Sequence, residues 1–192
     1  MSIAQNLAYI KATIPAQVTL IAVTKTHPIE KLMKVYTAGH KVFGENKVQE
    51  LCDKYEALPK DIEWHLIGHL QSNKVKYIAP FVALIHSVDS IKLLQEINKQ
   101  ASKNNRIINC LLQIYIANED TKFGLSFSEA QQLMDSAEFK QLQNIKIVGL
   151  MGMATNTDDT TQIRKEFKSL KTFFDSFKNI FCLYILFYRS CI

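Results

Sequence analysis

The feature that most constrains this chain is an alternation, running from Val18 to Phe177, of short apolar β-branched runs with longer stretches of helical periodicity. Strand character falls at Val18–Thr24, Lys41–Gly44, Ile62–Ile67, Val82–His86, Ile107–Ile116 and Ile145–Met151. Helical patterns fill the gaps at Pro28–Ala38, Lys47–Leu58, Ser72–Ala79, Ser90–Lys103, Ser126–Gln141 and Asp158–Phe177, after an opening helix with Ile3, Leu7 and Ile10 on one face. Several helices carry start signals. Ser126 and Glu129 make a capping-box pair, and Asp89-Ser90 precede Leu93, Leu94 and Ile97. Parallel strands need crossovers of a dozen or more residues, usually helical, so repeated βα units predict a parallel sheet covered by helices. Such a sheet is either open and doubly wound or closed into a barrel. With 192 residues, 47% of them hydrophobic, the chain is long enough to bury a full core as a single domain.

Within that pattern the stretch Val18 to Pro28, VTLIAVTKTHP, is the most informative. An apolar run without polar alternation predicts a strand buried on both faces. Lys25 falls at its carboxyl end, and Pro28 with Glu30 opens the next helix. Ligands of α/β proteins bind at this edge of the sheet. An amine there can form a Schiff base with a carbonyl compound, whereas a lysine that merely snorkels would keep its ammonium in water. The other polar groups that stand out also sit at strand ends: Glu45 and Asn46, His65 and His69, Ser87 and Asp89, Asn118 and Asp120. Gly44, Gly68, Gly124, Gly149 and Gly152 lie beside them. Closure of the sheet would gather all of these at one rim, where barrel proteins keep their sites.

Several function classes fit poorly. The formal charge of +5, from 23 basic and 18 acidic residues, is scattered over helices without an aromatic-interleaved basic face, which argues against a nucleic-acid partner. Cys52, Cys110, Cys182 and Cys191 have neither metal-ligand spacing nor the density of a disulfide framework, and with no secretion signal in the N-terminal stretch they suit a reducing, cytoplasmic setting. The apolar run Phe181 to Tyr188 is far short of the roughly 20 residues that span a bilayer, so no membrane partner is expected. His65-x3-His69 lacks a third ligand at helical spacing, so no metal site is expected. His86-Ser87-Val88-Asp89 holds the residue types of a hydrolase triad, but neighbours on one strand cannot converge. Gly149-Leu150-Met151-Gly152-Met153 lacks the third glycine and the acid of a dinucleotide site.

Six stretches, AVTKTHP (22–28), FGENKVQE (43–50), WHLIGHLQSNK (64–74), IHSVD (85–89), NEDTKFG (118–124) and GLMGMAT (149–155), occur in an order that resembles the YggS/PROSC family of pyridoxal phosphate homeostasis proteins. WHLIGHLQSNK and FGENKVQE are long enough to be specific, and the likeness runs from Met1 to about Asn179. The resemblance implies a TIM-like (β/α)8 barrel of the alanine racemase N-terminal type, with pyridoxal 5′-phosphate held as a Schiff base on Lys25. It places Asn46, His65, His69 and Met151 around that cofactor. It also implies a non-catalytic protein of vitamin B6 and amino-acid homeostasis, a monomer that holds or delivers the cofactor, with cofactor-dependent enzymes as recipients. The alternatives are a truncated, non-functional copy and an amino-acid racemase, but a racemase needs a second acid/base on the opposite face of the cofactor.

One departure accompanies the likeness. The family continues after Asn179 into a strand, a helix and a last strand that hold the cofactor phosphate, whereas this chain reads IFCLYILFYRSCI from Ile180 to Ile192. The expectation is therefore a single domain over residues 1–180, an atypical apolar tail over 181–192 resembling a truncated or frame-shifted ending, and a barrel whose last strands are missing or altered. Phe181 to Phe187 can still pair as a seventh strand.

Overall fold

The computed structural model describes residues 2–117 and 123–177 together with the strand at 185–188. The elements in order are α1 (Ile3–Thr13), β1 (Ala22–Val23), α2 (Ile29–Thr37), β2 (Val42–Glu45), α3 (Val48–Ala57), β3 (Glu63–Leu66), a 3₁₀ turn (Ser72–Lys74), α4 (Val75–Ile78), β4 (Leu84–Val88), α5 (Ile91–Lys103), β5 (Ile108–Tyr115), α6 (Phe127–Asp135), α7 (Ala137–Lys140), β6 (Ile145–Met153), α8 (Thr160–Asp175) and β7 (Ile185–Tyr188). These strands form one parallel sheet in the order β1 to β7, the sequential arrangement of a (β/α)8-type barrel. The register runs Phe43 against Trp64, His65 against Leu84, and Leu112 against Leu150. β7 adds to β6 with Leu150 opposite Ile185, which is the seventh strand expected there. Among the described residues β1 and β7 each have one neighbour and do not pair with each other.

The two faces of the sheet differ. On one face Phe43, Trp64, Leu66, Ile85, Leu112 and Leu150 pack with helix residues such as Leu51, Leu94, Ile97 and Leu170 into the main core. Trp64 is fully buried there, its ring centroid 5.7 Å from that of Phe43. The opposite face carries a smaller apolar cluster of Leu111, Val148 and Met151, flanked by Leu84 and Met153. Period-two alternation along each strand assigns the faces, so His65, His86 and Gln113 fall on the side of the small cluster.

The expected caps are present. Ser126 accepts from the Glu129 amide while Glu129 reaches back to the Ser126 amide, and Ser90 caps α5 through the Leu93 amide. The stretch read as one helix over Ser126–Gln141 is instead two, because Ser136 turns extended and its hydroxyl caps a new helix through the Phe139 amide. The strand predicted over Val18–Thr24 needs a larger correction. Only Ala22 and Val23 join the ladder, and the run is not buried on both faces, since Val18 is 49% exposed and Val23 36%. Its position explains this, because an outermost strand has a neighbour on one side only, while hydrophobicity along the chain reports composition and not rank in the sheet. No helix among the described residues is long and apolar enough to cross a membrane.

Candidate functional site

Where β1 ends, Thr24, Lys25 and Thr26 turn the chain towards α2. Just past β1, the Thr24 amide donates to the Gly44 carbonyl at 3.0 Å, and Thr26 then adopts φ 64°, an outlier for a β-branched residue. Lys25 is left half-buried on the lip of a cavity of about 300 Å³. Asn46, from the exit of β2, and Gly68, from the exit of β3, stand beside it. His86 from β4, Gln113 from β5, and Met151 and Met153 from β6 also line the space. Apart from Phe123, the contributors come from the middle or carboxyl parts of their strands or from the exits just beyond them.

Four of the five residues singled out from the sequence, Lys25, Asn46, His69 and Met151, therefore line one cavity. His65 does not line it. It lies beneath, with its Nδ1 3.1 Å from Nε2 of His86, so that one ring donates to the other. Both rings are buried and neutral at physiological pH: desolvation holds His65 down at about 4, and desolvation together with His65 holds His86 at about 3. Nδ1 of His86 is buried without a hydrogen-bond partner among the described residues. His69 diverges from His65, its Nδ1 3.8 Å from the Asp89 carboxylate and its ring stacked 5.0 Å from Phe123. With both exposed, they form the mouth. Gln113 fixes that mouth by donating to the Phe123 carbonyl at 2.9 Å.

Two of the polar groups expected at the rim face elsewhere. Glu45 is fully buried on the helix side of β2, where it accepts from Nζ of Lys54 on α3 at 2.7 Å and from the Thr24 hydroxyl. Ser87 donates to the Gly68 carbonyl at 2.6 Å, tying β4 to the β3 exit. Asn118 and Asp120 lie outside the described residues, as do residues 178–184 and 189–192 of the end region, where the apolar tail stands in place of the family's phosphate-holding continuation. Sequence reasoning missed His86, set aside with the triad, along with Gln113, Phe123 and Met153. Gln113 did leave a signal as the one amide inside the apolar run Cys110 to Ile116.

The Gly68 position admits no side chain. A Cβ there would sit 2.4 Å from the Asn46 carbonyl oxygen and 2.7 Å from its Cα, and backbone cannot swing aside as a side-chain tip can. Gly68→Ala should therefore push apart the exits of β2 and β3, costing about 1–3 kcal/mol and lowering Tm by roughly 2–12 °C. Thermal unfolding followed by circular dichroism measures this. An unchanged Tm would mean that the two loops give way freely.

A parallel barrel-type sheet that gathers one amine, a buried imidazole pair and a floor of methionines at its carboxyl rim defines a small-molecule-binding barrel protein. Residues 1–186 match the alanine racemase N-terminal domain family. The pyridoxal phosphate homeostasis protein of Aquifex aeolicus is 42% identical, over 79% of this chain and 66% of that protein, and the one from Pasteurella multocida is 34% identical, over 93% and 81%. The chain belongs to the alanine racemase N-terminal domain family, within its branch of pyridoxal phosphate homeostasis proteins. Among solved structures, PipY of Synechococcus elongatus with PLP bound superposes with a TM-score of 0.83 at 32% identity, covering 95% of this chain and 86% of that one. An alanine racemase of Clostridium difficile shares the fold at 13% identity and TM-score 0.76, with 95% of this chain covering 49% of the racemase.

Proposed function

We propose that this chain is a carrier of pyridoxal 5′-phosphate that holds the cofactor through the Lys25 amine and turns over no amino acid. The observation that carries the reading is the composition of the rim cavity. Lys25 is the one lysine or arginine among the described residues that line it. It faces a buried imidazole with an unpartnered nitrogen and an apolar floor, which suits a flat heteroaromatic aldehyde. About 300 Å³ lies at the lower end of small-molecule sites. Bound there, the cofactor would supply an aldehyde able to condense with amines. Asn46 and His69, at the lip, would orient it, and Met151 and Met153 would give it apolar contact.

The absence of turnover follows from the groups available to move protons. His86 is pushed to about 3, so it is too weak a base to take a proton near neutral pH, and His65 beneath it is held at about 4. The open mouth at His69 and Phe123 leaves water in contact with the site. A site that holds an aldehyde on an amine, with no second strong base beside it among the described residues, suits storage and hand-over to cofactor-dependent enzymes.

The test is to incubate the folded chain with the cofactor, reduce with borohydride and map the modified peptide. Label on Lys25, abolished in Lys25→Ala, is expected, and label spread over other lysines would overturn the assignment. Following α-proton exchange of several amino acids in deuterated buffer tests the second half of the reading. Exchange that is fast, saturable and lost in Lys25→Ala would restore an enzyme.

A further inference from the structure

Lys25 is flanked by two peptide units that one charged cluster, centred on a buried cation, ties down from behind. Nζ of Lys54, on α3, donates to three acceptors at 2.7 Å each: the Thr24 carbonyl, Oε1 of Glu45 and Oε1 of Glu50. That uses all three of an ammonium's donors. Glu50 Oε1 in turn accepts from the Thr26 amide at 2.7 Å, and Glu45 Oε1 accepts from the Thr24 hydroxyl. The residues before and after Lys25 are therefore both bonded to one charged cluster. Lys54 is 5% exposed and Glu45 fully buried, so this is an interior anchor and not a solvated helix face. It also holds Thr26 at φ 64°, a conformation that a β-branched residue keeps only where its surroundings over-determine it.

We propose that Lys54, with Glu45 and Glu50, is a positioning cluster that fixes the Lys25 amine at the cavity lip and thereby sets how fast that amine condenses with an aldehyde, the C=N bond forming as the carbonyl oxygen leaves as water with the two amine protons. The cluster does not line the cavity and acts only through the backbone of residues 24 to 26. Misplacing a reacting group by about 1 Å can cost on the order of 10²-fold in rate. Releasing Thr26 should therefore slow capture while leaving the walls of the cavity as they are. The inference rests on the reading of Lys25 as the carrier amine.

Glu50 is the member to change, because its side chain is 25% exposed and its loss leaves the Lys54–Glu45 pair intact. Two quantities are read for the unsubstituted chain, Glu50→Ala, Glu50→Gln and, as a control on the same helix, Glu56→Ala. The first is the rate of imine formation with pyridoxal 5′-phosphate, followed by absorbance. The second is the affinity for pyridoxine 5′-phosphate, in which an alcohol replaces the aldehyde and no imine can form. Glu50→Ala should slow imine formation by about 10- to 100-fold while pyridoxine 5′-phosphate affinity stays within about threefold. Glu50→Gln keeps an oxygen for the Thr26 amide and should recover most of the rate. A parallel loss of rate and affinity, or no change in either, overturns the positioning role. A normal cavity affinity with no imine on Lys25 in the unsubstituted chain would overturn the carrier reading itself, and the inference with it.

Discussion

Lys54→Met will destabilise the chain by about 3–5 kcal/mol at pH 7, because it strands a carboxylate in the interior. Glu45 is fully buried, and its Oε2 already lacks a partner among the described residues. Burial holds its carboxyl above the usual range even with Lys54 and Thr24 bonded to Oε1. Without the ammonium, Glu45 keeps only the Thr24 hydroxyl and must protonate to stay inside. A carboxyl whose folded value is raised binds protons more tightly when folded, so the deficit relative to the unsubstituted chain should narrow as pH falls from 7 to 5. Adding Glu45→Gln removes the stranded charge and should return a large part of the loss. Urea unfolding of the single and double variants at both pH values decides the matter. Equal losses in the two variants would show that the cost is lost packing of the lysine stem and not an unpaired charge.

The unsubstituted chain should itself lose about 3–4 kcal/mol between pH 7 and pH 5, owing to the imidazole pair under the cavity. His65 and His86 are held at about 4 and about 3, against an ordinary value of 6.5. In this window the unfolded chain takes up two protons that the folded chain refuses. Stability is therefore intact above about pH 7 and falls as pH drops, by up to about 1.4 kcal/mol per unit for each ring. Glu45 works in the opposite direction, since its folded carboxyl is raised. Glu50 and Asp61 are held below the ordinary carboxylate range and add their loss only at lower pH. A chain with His65→Asn and His86→Asn should show a flatter profile from pH 7 to 5. An unaltered slope would place the acid sensitivity elsewhere.

Sequence periodicity located β2 to β6 and their helices because each carries its own apolar pattern, and the capping pair Ser126 and Glu129 marked a helix start that the structure keeps. Two kinds of information were not local. One was rank in the sheet: Val18–Thr24 is as apolar as a central strand, yet it lies at the edge. The other was facing. Glu45 and Asn46 are adjacent in sequence and both sit at a strand end, but alternation sends Asn46 to the cavity and Glu45 to α3. That alternation was legible in FGEN, whereas the partnership with Lys54 was not. Lys54 reads as one more helix lysine, because the register of α3 against the β1 exit is set by packing across 30 positions of chain. His86 was obscured by its neighbours Ser87 and Asp89, whose side chains bond to Gly68 and pair with His69.

The chain has one tryptophan, Trp64, immersed in the helix-side core beside Phe43. Its successor His65 points the other way, into the layer beneath the cavity. A lone indole in that place is an intrinsic optical reporter that needs no label. Unfolding transfers it to water and shifts its emission to longer wavelength. Loading the cavity leaves its surroundings dry but brings a chromophore within energy-transfer range, so the emission should dim without moving. Colour change and dimming then separate loss of structure from gain of ligand in a single titration.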